Sequence, residues 1–358
     1  MKQRNHAFDF LCGLCILRMV CLHIMTITGH SLEDWWKEVM QWSYFFMSFF
    51  FFKAGYFNKS VAGNSREYIL DKAKRLLVPY FTTGMIGCAI YFSFLPKMLQ
   101  MYHKPIEHLA WEHIWETSSF YGNQPTWFLF SFFTAYVLVH FIEKVKGLHW
   151  IILLFPAVSY VLFELDNPLW MSLNNVFMGI FFFELGRLWH FRMDGWGRRR
   201  TVLISSILCL IFVVSNIVFH DASYAMSSNT FRGNPFVTVI NITCILCGLA
   251  GLLISLDMPR VPAINFIGQH SMVYFVGHYP LLYIDKFTRL SFGRSIFGGK
   301  YDETILLIPI VFIICSWMVP FVESIPWLSG RWPKKQQPQP EVAKTVVEVE
   351  NTAPEGAE

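Results

Sequence analysis

The run INFIGQHSMVYFVGHYPLLY, residues 264–283, is apolar enough to lie in a bilayer, yet it carries His270, Ser271, Tyr274 and His278. A second run, FDFLCGLCILRMVCLHIMTITGH, holds Asp9, Arg18 and His23. Ionisable side chains at mid-bilayer cost about 2.5–3.5 kcal/mol for Arg, Lys or Asp, so each needs a reason, and function is the default one. A neutral imidazole can take a hydroxyl proton near pH 7. A histidine near a helix end can equally sit at the membrane interface, and both readings of His278 stand at this point. At 100° per residue Ser271, Tyr274 and His278 share a helix face, with His270 beside it. Cys12 and His23 lie about 20° apart, whereas Arg18 is about 140° from His23 and addresses a different neighbour. A structural role pairs Arg18 with a buried carboxylate such as Glu184 and bonds His23 to a backbone carbonyl.

The elements that must hold these residues are membrane helices. Of the 358 residues 54% are hydrophobic, 18% aromatic and only 15% charged, and the mean hydropathy is +0.39, so a soluble domain is excluded. Spans of about 20 apolar residues are predicted near 8–28, 42–57, 75–95, 125–142, 148–165, 168–189, 201–220, 236–256, 264–284 and 303–325. The fold class is an all-α polytopic membrane protein of about ten transmembrane helices. With both ends inside, the cytoplasmic segments carry 19 of the 29 Lys and Arg residues and the outer ones 8, Arg18 and Lys53 lying in spans; the positive-inside rule therefore supports N-in and C-in. Residues 1–330 form the transmembrane domain, and 331–358, rich in Pro, Glu and Gln, a disordered cytoplasmic tail. The basic start is read as part of a retained helix, since no small-residue cleavage site follows it. The outer connection 96–124 reads as an amphipathic interfacial helix. On the inside, NKSVAGNSREYILDKAKRLLVPY is basic, which suits anionic headgroups, a phosphorylated cytosolic donor or plain anchoring. The pairs Cys12/Cys15 and Cys244/Cys247 stand isolated in apolar runs and imply no metal. The chain holds no HExxH, GxSxG or Walker A motif.

Four motifs in order resemble the acyltransferase 3 family of integral-membrane O-acyltransferases. RNHAFDFLCGLCILRMVCLHI is similar to the family's opening pattern through Arg4, Asp9, Gly13 and His23. FFMSFFFFKAGYF ends in the Gly55-Tyr56 pair. DKAKRLLVPYF matches a basic segment at Arg75, Pro79 and Tyr80, followed by TWFLFSFF at Trp127. The run at 264–283 supplies Gly268, Ser271, Tyr274, His278 and Pro280. One departure stands out: the basic residue the family places eleven positions before the helix 1 histidine is Cys12 here. Either Arg18 carries that charge from another face, or the donor is bound differently.

The resemblance implies acyl transfer from acetyl-CoA, used as co-substrate, to a hydroxyl of an extracytoplasmic glycan. It implies His23 as base, with His278 orienting the acceptor or stabilising the oxyanion and Ser271 and Tyr274 donating hydrogen bonds. Donor phosphates would meet Lys72, Lys74 and Arg75, and Arg18 if it replaces the missing charge. The implied partners are acyl-CoA, a surface or lipid-linked polysaccharide and membrane lipids, with no nucleic acid, and the implied location is the bacterial inner membrane. The alternative is a translocator of a glycan or lipid-linked sugar, whose histidines bind without catalysing.

Overall fold

The computed structural model describes residues 5–28, 33–58, 64–102, 110–145, 147–166, 168–292 and 302–332. Fourteen helices are described: α1 (His6–Thr28), α2 (Asp34–Ser43), α3 (Phe46–Phe57), α4 (Ser65–Tyr102), α5 (Ala110–Thr117), α6 (Trp127–Ile142), α7 (Phe155–Glu164), α8 (Asn174–Asp194), α9 (Arg198–Val218), α10 (Pro235–Ser255), α11 (Pro262–Gln269), α12 (Ser271–Phe292), α13 (Asp302–Ser324) and α14 (Pro326–Ser329). A hairpin of two short antiparallel strands, β1 (Ser223–Ala225) and β2 (Thr230–Arg232), joins α9 to α10. The chain is an all-α membrane protein, with six helices among the described residues long and apolar enough to cross a bilayer by length and composition. The other predicted spans depart for visible reasons. The region 42–57 yields the 12-residue α3 and 148–165 the 10-residue α7, each short of the roughly 30 Å hydrocarbon thickness. The helix α8 carries Glu184 and Arg187, which pair with each other at 2.5 Å and, through Arg187, with Glu143 at 3.1 Å. Glu184 is thus taken, and the predicted pairing with Arg18 does not form.

The region 264–284 is not one helix. It breaks at His270, whose φ of −108° and ψ of 25° separate α11 from α12. On the cytosolic side of the prediction, Lys72, Lys74 and Arg75 are part of α4, a 38-residue helix that runs beyond the predicted 75–95 span at both ends. The outer connection contains α5, which exposes Trp111 and Trp115 as an interfacial helix does. Except for residues 331 and 332, the predicted tail lies outside the described residues, as does Arg4.

Two close helix contacts set the bundle, and both need glycine. A Cβ on Gly13 would stand 2.1 Å from the Ile264 carbonyl oxygen, and one on Gly268 would stand 1.8 Å from that of Asp9. The two backbones therefore touch, and α1 runs parallel to the α11–α12 pair: ten residues beyond Gly13 and Gly268 stand His23 and His278. Likewise Gly55 meets the backbone of Phe183, and Gly186 that of Phe52, locking α3 to α8. Without a hydrophobic drive between helices in lipid, such backbone approach supplies the packing.

Candidate active site

The side chains of His23 and His278 meet where α1 and α12 run side by side, with ring centroids 5.2 Å apart and planes inclined by 31°. His278 is fully buried. Its Nδ1 lies 2.7 Å from the carbonyl oxygen of Tyr274, one turn earlier. A carbonyl only accepts, so Nδ1 carries the proton and Nε2 carries the lone pair. That Nε2 is buried and without a hydrogen-bond partner among the described residues. A buried imidazole with a fixed tautomer and an open lone pair is held as a proton acceptor, the arrangement a general base or its partner needs. His23 is half-buried and lines a cavity of about 560 Å³ that Arg18, Tyr224, Trp127 and Phe275 also line.

Tyr279 completes the imidazole cage. Its ring stands edge-on to His23, centroids 5.0 Å apart at 84°, and its hydroxyl donates to Gln124 Oε1 at 2.7 Å. Gln124 is the exposed member of the turn preceding α6, whose buried Asn123 reaches into the bundle and donates from Nδ2 to the carbonyls of Thr83 (3.3 Å) and Val276 (3.2 Å). The second bond explains Pro280. A proline has no N–H for the carbonyl four residues back, which here is Val276, and in a membrane that orphan must be met from elsewhere. Sequence reasoning missed Tyr279, Asn123 and Gln124. Tyr279 could have been found from its adjacency to His278, because His23 lies across two neighbouring faces of α12.

The other predicted site residues are not gathered at the imidazoles. Tyr274 contributes its carbonyl, while its hydroxyl turns to α13 and donates at 2.7 Å to Ser316, whose own proton goes to the Phe312 carbonyl. Ser271 opens α12, seven residues or about 10 Å along the axis from His278. His270 belongs to a different structure: its Nδ1 is 2.6 Å from Glu323, which also pairs with Arg331. Arg331 donates in turn to the Gln269 carbonyl, and the Gln269 side chain donates to Asp9. This network ties the α11–α12 break to the start of α1 and the end of α13.

Arg18 reaches α2, with Nε 3.1 Å from Ser43 Oγ, Nη2 3.1 Å from the Met40 sulfur, and its guanidinium 3.7 Å over the Phe46 ring. It thus meets a different neighbour from His23, as the helical wheel requires, yet both border one cavity because the cavity wraps around α1. Cys12 is buried in the core. Of the basic segment on α4, Lys72 turns inward over the Tyr136 ring at 4.0 Å and the Tyr68 ring at 5.2 Å. Arg75 pairs with Asp71 at 3.0 Å, and Lys74 stands 6.0 Å from the Trp332 ring, both exposed.

Fold and site together define a helical integral-membrane protein with an imidazole pair, of which His23 lines a largely apolar cavity that also holds cations. The acyltransferase domain family, acyltransferase 3, matches residues 5–322, and the chain belongs to that family. No curated protein and no solved structure matches it.

Proposed function

We propose that this membrane acyltransferase moves an acyl group, acetyl in the first instance, from cytosolic acyl-CoA to a hydroxyl of an extracytoplasmic glycan, in a bacterial inner membrane with both chain ends inside. The observation that carries the reading is the His23–His278 pair beside the cavity, in a chain of the acyltransferase 3 family. The acceptor hydroxyl enters the cavity, and His23 removes its proton as the oxygen attacks the thioester carbonyl. A C–O bond forms, the tetrahedral intermediate collapses with cleavage of the C–S bond, and the CoA thiolate takes the proton back from His23. His278 serves through its Nε2 lone pair, which can accept an N–H of the His23 imidazolium and so stabilise the charge that develops on it. Trp127 and Phe275 on the cavity wall offer apolar faces to a sugar ring. Lys74 and Arg75, at the opposite end of the bundle, are the exposed cations for the donor phosphates, with Lys72 behind them.

The test is release of free CoA thiol from acetyl-CoA by purified protein, with acyl transfer to added glycan followed by mass spectrometry. Acceptor-dependent thiol release that needs His23 is the expected result. Translocation of a glycan in reconstituted vesicles with no thiol release would replace the proposal by the translocator reading.

A further inference from the structure

Around His23 the cavity wall has a one-sided charge. Arg18, Lys37 and Arg232 line it together with neutral side chains such as Gln41 and Tyr224, and among the described residues that line it there is no Asp or Glu. Lys37 is matched outside the cavity by the exposed Asp34 at 2.8 Å. Arg18 and Arg232 are paired with no carboxylate among the described residues. Two of Arg18's nitrogens meet only neutral groups, Ser43 and Met40, and Nη1 is buried with no partner among the described residues. A guanidinium taken from water without a counter-ion is costly, and its fork of donors fits a carboxylate or phosphate in two-point contact.

Arg232 is presented on a braced ribbon. It ends β2 opposite Ser223. The hairpin is pinned to α7 by Asn229, which takes hydrogen bonds from Ser159 (2.5 Å) and Tyr224 (2.9 Å) and donates to the Ser159 carbonyl (2.9 Å). Gln41 on α2 closes the same wall by donating to Asn216 (3.2 Å) and to the Ala222 carbonyl (3.0 Å). The cations are therefore held in a built wall.

We infer that the acceptor delivered to His23 is anionic, carrying a carboxylate or a phosphate that Arg18 in the wall and Arg232 on the hairpin bind as counter-charges. The inference rests on the acyl-transfer reading for the word acceptor, and the anion site itself is measurable without turnover. Purified protein in detergent is titrated with three probes: an oligosaccharide containing a uronic acid, its neutral methyl ester, and a polyprenyl-diphosphate-linked neutral sugar. Binding is read from the unfolding midpoint, and thiol release from acetyl-CoA is read separately. The uronic acid probe, the lipid-linked probe or both should stabilise the protein saturably and the ester much less. Which of the two acts decides whether the charge belongs to the sugar or to its lipid carrier. Arg232→Gln should weaken that binding about tenfold, the scale of one charge-assisted hydrogen bond, and Arg232→Glu should abolish it; both lie on an exposed position that leaves the fold intact even if Arg18→Gln does not accumulate. Equal binding of the neutral ester, no binding of either anionic probe, or unchanged anion binding in Arg232→Glu overturns the inference. Arg232-dependent anion binding without any thiol release leaves the anion site standing and removes the transferase reading.

Discussion

His270 and His278 lie eight residues apart in the same stretch of chain and have opposite surroundings. His270 stands at a helix break, bonded to Glu323, which Arg331 balances. His278 has one nitrogen fixed by a carbonyl and the other buried and empty beside a second imidazole. In a bundle where unmet polar groups are costly, the satisfied histidine is explained by architecture and the unsatisfied one is not. The difference teaches that polarity inside a membrane helix marks a site only once the partners have been counted.

The largest expected effect tests the unsatisfied side. His23→Ala should lower turnover by about 10²–10⁴-fold, the value of a positioned base, in protein that stays monodisperse on size exclusion. His278→Ala should lower it less, and the double variant should lose less than the product of the single losses, because the pair acts as a unit. Full specific activity in monodisperse His23→Ala protein would erase the contrast between the two histidines.

Next in size is Gly268→Ala, which tests what aligns the two regions. A Cβ placed 1.8 Å from the Asp9 carbonyl oxygen must push α11 away from α1. Overpacking of this kind costs about 1–3 kcal/mol, and it should also lower turnover, since the same contact sets the register of His23 against His278. A lowered melting temperature with undiminished turnover would show that the imidazole pair is aligned from elsewhere.

Glu323→Gln probes the satisfied side. Removing the carboxylate leaves Arg331 without its counter-charge and His270 without its charged partner, and because the cluster is partly exposed the loss should be about 1 kcal/mol, less than for a fully buried pair. Thermal stability should fall while turnover per folded molecule stays close to wild type. A large loss of turnover at unchanged stability would move His270 from the architecture into the chemistry.

Much of this contrast was written in the sequence, and part of it was not. The membrane class follows from composition, whereas the register that brings His23 to His278 depends on the backbone contact at Gly13 and Gly268, which only the fold reveals. The wheel separated Arg18 from His23 correctly, but angle alone does not reveal that a cavity curves around a helix to reach both. Ser271, Tyr274 and His278 do share a face, yet a helix face touches more than one neighbour: the Tyr274 hydroxyl goes to α13 and His278 to α1. The break at His270 carries no proline or glycine at that position; it arises where Gln269 and His270 are both drawn into tertiary polar bonds. Asn123 was invisible because its task, meeting the carbonyl freed by Pro280, joins residues more than 150 positions apart.

The smallest effect concerns the support of the imidazole pair. Tyr279→Phe keeps the ring that stands edge-on to His23 and removes only the hydroxyl that donates to Gln124. The lost hydrogen bond is worth about 1 kcal/mol. If Tyr279 fixes the angle of His23, turnover should fall a few-fold with the acceptor KM little changed, because the aim of the base is impaired and the cavity is not. Tyr279→Leu, which removes the ring as well, should fall further and in the same parameter. If the hydroxyl matters only for packing, Tyr279→Phe should melt earlier and turn over as fast as wild type. That outcome would leave His278 as the single fixed partner of His23 and draw the boundary of the unsatisfied region at the two imidazoles themselves.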